Sequence, residues 1–172
     1  MSGIGGSTAE AELAALGPWP TPAPAITAAE RSERLARARA LMAEIGADAL
    51  IAGAGPSLRY FTGVGWNATE RLVAMILPRQ GAPVMVCPRF ELGSLEASLG
   101  VEAQIVLWEE HESPYALAAR VLADLGAKSL AIDPALPFFA FDGLRLAAPG
   151  VAVVNPAPAI HGCRLIKSPA EL

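Results

Sequence analysis

The chain is short of charge, histidine, cysteine and long apolar runs, and each shortage excludes something. Asp, Glu, Lys and Arg make up 17% of its 172 residues, against about 25% in an average soluble domain. Its 13 basic and 17 acidic residues leave a net charge of −4, with none of the basic stripe that nucleic-acid binding needs. Two cysteines, Cys87 and Cys163, lie far apart and follow no metal-ligand spacing. They read as buried, reduced thiols of a cytoplasmic protein. The two histidines, His111 and His161, form no H-E-x-x-H pair. No window holds the uninterrupted apolar stretch of about 18 residues that marks a membrane span. The N-terminus lacks the basic and then apolar regions of a secretory signal, so the sequon Asn67-Ala68-Thr69 is a chance match. What is plentiful is apolar side chain, 53% of the chain. That implies a folded single domain, part of whose apolar surface is covered by a partner or a further domain.

Residues 1–25 read as a flexible Pro/Gly-rich tail, with a short helix over Ala9 to Leu16. Trp19 either docks this tail on the domain or moves with it. The first firm element is a helix from Ala28 to Ile45. Thr27 and Glu30 make a capping box at its start, and Leu35, Ala38, Leu41, Met42 and Ile45 recur on one face. Arg31, Arg34, Arg37 and Arg39 occupy its other faces, and Gly46 ends it. Asp48 to Gly53 reads as a strand. Ser57 caps a short helix over Leu58 to Phe61, closed by Gly63. Arg71 to Leu77 and Pro83 to Cys87 form a hairpin about a turn at Pro78 to Ala82. Helices over Phe90 to Leu99, Pro114 to Leu125, Phe138 to Ala147 and Pro158 to Leu165 then alternate with strands. The strands span Ala103 to Trp108, Ser129 to Ile132 and Val151 to Val154. Helices between short apolar strands predict a layered α/β fold, and the hairpin makes its central sheet mixed.

Several stretches invite chemistry and lack the rest of what it requires. Gly53-x-Gly55 follows a strand, but Leu58 stands where a dinucleotide-binding turn has its third glycine, and Pro56 removes an amide. Glu109-Glu110-His111-Glu112 is dense in ligand types, yet four adjacent residues do not converge on one ion without distant partners, so a solvated loop is expected. Asp133-Pro134 marks a turn, Asp142 a helix surface, and Asp124 has no clear carboxylate partner. Ser57 and Ser168 have no base at a recognisable spacing. There remain Arg59, Tyr60, Trp66, Asn67 and Arg71, an aromatic and guanidinium group around a Gly-rich bend between two strands. Such a set suits a carboxylate or a peptide end. The alternative is that Tyr60 and Phe61 pack in the core while Arg59 and Arg71 pair with acids.

Four segments, in order, carry a resemblance. Leu58-Arg59-Tyr60-Phe61-Thr62-Gly63 resembles the R-Y-L-T-G segment of the N-terminal domain shared by creatinase, prolidase and Xaa-Pro aminopeptidase, the pita-bread metallopeptidase family. Met85 to Glu91 resembles that family's strand ending in V-P-R-x-E, and Trp108 to Tyr115 its acidic loop before a helix. Arg164-Leu165-Ile166-Lys167-Ser168-Pro169-Ala170-Glu171-Leu172 is similar to the R-x-I-K-S-P-x-E-I/L segment that leads into the catalytic domain. The resemblance covers about residues 27 to 172.

The resemblance implies a ribonuclease-H-like α/β layer over residues 26–163 and a linker over 164–172 toward an absent catalytic domain. In the family that second domain holds two divalent metal ions that activate water. It follows that this chain carries no catalytic residue, no metal ligand and no cofactor of its own, and is inactive alone. By the same resemblance its partners are its own C-terminal catalytic domain, further copies in a homo-oligomer, and a Xaa-Pro peptide substrate at the rim. Arg59, Tyr60, Trp66, Asn67 and Arg71 are then substrate-gating or interface residues. Two other functions stay open: a free-standing module that binds a small molecule or peptide terminus, and an interaction domain without a ligand. The sequence does not choose among peptidase, creatinase and lyase members.

Overall fold

A computed structural model describes residues 4–18 and 22–172; Trp19 lies outside them. Helix α1 (Ala9–Ala15) starts where the Thr8 hydroxyl accepts the Ala11 N–H at 3.2 Å, and it buries nothing. Helix α2 (Ala28–Glu44) starts where Thr27 accepts the Glu30 N–H at 3.1 Å; this is half of the expected capping box, because the Glu30 carboxylate pairs with Arg34 instead. Gly46, at φ 72°, lets the chain leave it. Then follow β1 (Ala49–Gly53), α3 (Pro56–Thr62), β2 (Ala74–Pro78) and β3 (Val84–Pro88). A 3₁₀ turn over Arg89–Glu91 leads into α4 (Leu92–Ser98). The rest alternates: β4 (Gln104–Trp108), α5 (Pro114–Asp124), β5 (Ser129–Ile132), α6 (Phe138–Ala147), β6 (Ala152–Val154) and α7 (Ala157–Arg164).

The strands form one mixed sheet in the order β4-β3-β2-β1-β5-β6. β2 runs antiparallel to both β1 and β3, and the β3–β4, β1–β5 and β5–β6 pairs are parallel. The chain is therefore α/β, with helices on both faces of a mixed sheet. Alternation along the inner strands divides the core in two. Leu50, Ala52, Met75, Leu77, Met85 and Cys87 point to one face, where Leu35, Ala38 and Met42 of α2, Phe61 of α3, Leu95 of α4 and Ile160 of α7 cover them. Ala49, Ile51, Ala74, Ile76, Val84 and Val86 point to the other, under Ala118, Val121 and Leu122 of α5 and Ala140 and Leu144 of α6. Burial on both faces explains why β1, β2 and β3 are continuous apolar runs rather than alternating ones.

Other details also differ from the sequence expectation. β2 begins at Ala74 rather than Arg71. Ser57 lies inside α3, which Gly55 precedes with Pro56 at the first helical position. Arg34, assigned to an outer face of α2, is 5% exposed.

Candidate functional site

β1, β3, β4 and β5 all run in one direction, so their carboxyl ends share one edge of the sheet. Open α/β sheets place ligand sites at that edge. Here it carries the ends of β1 at Ala54, β3 at Pro88 to Glu91 and β4 at Trp108 to Glu110, together with the segment entering β2 from Gly63.

That entering segment is fastened at both ends. Gly63 closes α3 at φ 87°, its N–H reaching the Arg59 carbonyl at 2.9 Å. The Thr62 hydroxyl donates to the Leu58 carbonyl at 2.7 Å and accepts the Val64 N–H at 3.2 Å. The Arg31 guanidinium lies flat against this turn: a Cβ on Gly63 or Gly100 would meet it at 3.1 and 3.0 Å. At the far end the Val73 carbonyl accepts the Ala54 N–H at 2.9 Å, and Trp108 donates its indole N–H to the Leu72 carbonyl at 3.1 Å. Between these anchors Gly65, Asn67, Ala68, Thr69 and Glu70 are exposed and Trp66 is half-buried against the core.

Trp66 stands between two hollows. The larger, about 370 Å³, is lined by Trp66, Asn67, Thr69, Arg71, Pro88 and Glu91, among others. The smaller, about 190 Å³, is lined by Gly55, Pro56, Arg59, Gly65, Trp66 and Asn67. Gly65, Trp66 and Asn67 border both.

The two guanidinium groups differ. Arg71 donates to both carboxylate oxygens of Glu110, at 2.8 and 3.3 Å, pairs with Glu70, and lies 5.4 Å from the centre of the Phe90 ring. The Arg71 hydrogen bond holds the Glu110 carboxyl below the usual carboxylate range. Arg59 is exposed and has no acidic partner among the described residues. The expected acid pairing thus holds for Arg71 and not for Arg59.

Tyr60 belongs elsewhere. Its hydroxyl donates to the Cys163 carbonyl at 2.6 Å, and the Arg34 guanidinium sits 4.1 Å from its ring centre. Arg34 donates to the Tyr60 carbonyl at 2.9 Å and pairs with Glu30 at 2.5 Å and Glu171 at 3.4 Å. Arg164 donates to the Ser57 hydroxyl at 3.0 Å. Tyr60 thereby lines a third hollow with Arg34, Cys163, Lys167 and Glu171, and takes no part in the two beside Trp66. Phe61 is fully buried. The sequence found Arg59, Trp66, Asn67 and Arg71 together, but missed Glu91 as a site residue and Arg34 as a buried one. Glu30 four residues before Arg34 was the only local signal for the latter.

Several of the remaining candidates have structural partners. The Asp133 carboxylate accepts the Ala135 N–H at 3.0 Å, making the turn its sequence suggests. Asp142 pairs with Arg145 along α6, and Glu109 pairs with Arg89. The Glu112 carboxylate accepts the Glu109 N–H at 2.8 Å, so the acidic loop is braced by its own members. Burial pushes the Cys87 thiol up to about 12, which leaves it no nucleophile. Among the described residues no three His, Cys, Asp or Glu side chains are grouped to hold a metal ion, and no helix is long and apolar enough to cross a membrane.

A family model described as the creatinase/prolidase N-terminal domain matches residues 34–166. The chain belongs to this family. It is 33% identical over 144 residues to the probable dipeptidase PepE of Mycobacterium tuberculosis, covering 82% of this chain and 38% of that protein. The crystal structure of dipeptidase PepE from Mycobacterium ulcerans superimposes with a TM-score of 0.72 at 31% identity, over 82% of this chain and 38% of that one. The creatinase/prolidase N-terminal domain of an X-Pro dipeptidase from Streptococcus pyogenes shares the fold. Its TM-score is 0.65 at 22% identity, over 76% of this chain and 98% of that one. This creatinase/prolidase N-terminal domain thus spans about 38% of the length of the dipeptidase relatives it matches. Three of the four segments that carried the resemblance start or end at the sheet edge described above, and the fourth, from Arg164, is tied to α3 through Ser57.

Proposed function

We propose that this chain is the non-catalytic N-terminal domain of a Xaa-Pro dipeptidase- or aminopeptidase-like metallohydrolase, and that its Trp66 rim narrows the approach to a catalytic site supplied by another domain. One observation carries this: the chain aligns with 38% of its dipeptidase relatives, yet with 98% of a family N-terminal domain solved by itself. The remaining length of such a protein is where a catalytic domain with two divalent metal ions would lie. Those ions would activate the water that cleaves the peptide bond. The side chains described above offer no group for them, so no step of hydrolysis is assigned to this chain.

Arg59, Trp66, Asn67 and Arg71 serve as the rim. Trp66, Asn67 and Arg71 lie on the segment fastened at both ends and Arg59 on the helix before it, which lets an aromatic wall narrow an entrance without collapsing into it. Tyr60 anchors α3 and so sets where that segment begins. Phe90, Phe138 and Phe139 expose 60%, 77% and 48% of their surface and offer apolar area for contacts with a second copy or with the catalytic domain. Two unpaired, buried thiols suit the reducing cytoplasm.

A specific observation also favours the binding-module alternative: the larger hollow, about 370 Å³, falls in the range of small-molecule sites of roughly 300–1,000 Å³. Assay of the 172-residue chain on Xaa-Pro dipeptides with manganese separates catalytic from non-catalytic roles. No turnover above buffer is expected, and robust turnover at stoichiometric metal would overturn the proposal.

A further inference from the structure

Helix α1 is capped, amphipathic and unpartnered. Thr8 satisfies its start, Ala9, Leu13 and Leu16 recur at helical spacing, and Glu10 and Glu12 flank that stripe. Yet Leu13 and Leu16 are 66% and 74% exposed, and the helix buries none of its residues. A helix of seven residues is marginal by itself in water, because the cost of its first turn is recovered only over about 12–15 residues or by packing an apolar face. The family match begins at residue 34, so α1 stands outside it. Residues 1–29 contain no Lys or Arg, so the side chains of this arm carry only negative charge.

A matching surface lies where the chain leaves α7. Leu165 and Ile166 are each 74% exposed. Beside them a hollow of about 240 Å³ is lined by Glu33, Arg37, Ile166 and Lys167, among others. Arg37 and Lys167 are exposed and have no acidic partner among the described residues. Of the acids lining the hollow, Glu30 and Glu171 are taken up by Arg34, and Glu33 offsets only one of the two cations. We infer that α1 is a docking arm for a second copy of this chain, its Leu13 and Leu16 on Leu165 and Ile166 and its Glu10 and Glu12 toward Arg37 and Lys167. The spacer decides which copy is reached. Proline at every second position from 18 to 24 favours extended chain. At about 3.1 Å per residue, Gly17 to Ile26 can span about 30 Å. The chain's own hollow lies alongside Glu30 to Arg37, within about 15 Å of Thr27 along α2. A stiff spacer therefore carries α1 past its own hollow and toward that of a neighbour. Two copies that exchange arms close with twofold symmetry, and the second arm docks at a raised effective concentration. None of this rests on the rim proposed above.

The test mixes two preparations of the 172-residue chain. One is isotope-labelled and otherwise unmodified. The other is unlabelled and carries a nitroxide on the α1 variant Ala11→Cys; the native thiols, Cys87 and Cys163, are buried and do not compete for the label. Docking between copies is expected to broaden the labelled amide signals of Arg37, Ile166 and Lys167, an effect that fades on dilution as light scattering reports dimer giving way to monomer. Leu13→Ser should weaken association by about tenfold for each docked arm. Arg37→Glu together with Lys167→Glu should weaken it as well, and adding Glu10→Lys and Glu12→Lys to that chain should restore it. Loss of structure would show no such restoration, and melting in dilute solution confirms that each variant folds. Broadening only when nitroxide and isotope share one molecule, broadening centred away from Arg37 and Lys167, or a monomer at every concentration would each overturn the assignment. The experiment uses neither metal nor substrate, so its failure leaves the gating role standing.

Discussion

The two sides of α3 carry similar residue types in opposite circumstances. On one side Arg34 is almost fully buried, paired with Glu30 and Glu171, hydrogen-bonded to the Tyr60 carbonyl and stacked over its ring. On the other Arg59 is exposed and unpaired beside a half-buried Trp66. A buried charge requires every partner it can reach, so Arg34 and its acids are committed to holding the residues after α7 against α2 and α3. An exposed, unpaired charge next to an aromatic wall costs little and remains free for something else. Both sides hang on one short helix, so the fixed side sets where the free side stands.

The contrast predicts a steep gradient of stability effects. Arg34→Ala, which strands two carboxylates and removes a stacked side chain, should destabilise the chain by about 2–4 kcal/mol in urea unfolding. A loss below about 1 kcal/mol would mean the Arg34 side is no more committed than the Arg59 side. Gly63→Ala comes next. At φ 87° and with Arg31 at 3.1 Å, a methyl group should cost about 1–2 kcal/mol and move the Trp66 indole signal. Arg59→Gln should change stability by no more than about 0.5 kcal/mol, as for a surface position without partners.

An acid titration sharpens the same contrast at the opposite end of β1. The Lys128 N–H (2.9 Å), then the Ser129 hydroxyl and N–H (both 3.0 Å), hold the Asp48 carboxyl below the usual carboxylate range. A folded-state value below the unfolded one of about 3.9 gives stabilisation that is complete above that pH. It is lost as pH falls through the folded value. Asp48→Asn should therefore be less stable than the parent at pH 7, with the gap closing below about pH 4. A gap that stays constant with pH would show that the charge is not what matters.

Much of this fold was legible because its signals are local. The Thr27 cap, the helical spacing from Leu35 to Ile45, and the glycines at 46 and 63 fix helix ends within a residue or two. The bounds of α6 and β5 match expectation at both ends. The sequence pattern extends β2 too far because Leu72 and Val73 are as apolar and buried as a strand, yet their carbonyls serve Trp108 and Ala54 instead of a ladder. The burial of Arg34 was illegible for a different reason: one of its two acids, Glu171, lies at the far end of the sequence. The site was half legible. Trp66, Asn67 and Arg71 are neighbours in sequence, and Arg59 follows from the same bend. Glu91 reaches the hollow only because β3 ends at the same sheet edge, which depends on a strand order that no local pattern encodes. Tyr60, adjacent to Arg59 in sequence, faces the other way because successive helical positions diverge by about 100°.

The most direct test of the gating role uses this domain joined to a dipeptidase catalytic domain, with kcat/KM on a Xaa-Pro dipeptide measured for parent and Trp66→Ala at equal bound metal. A rim that narrows the entrance predicts a change of about threefold to tenfold in kcat/KM with metal content and melting temperature unchanged. Identical kinetics in a fully metallated, folded Trp66→Ala protein would contradict it.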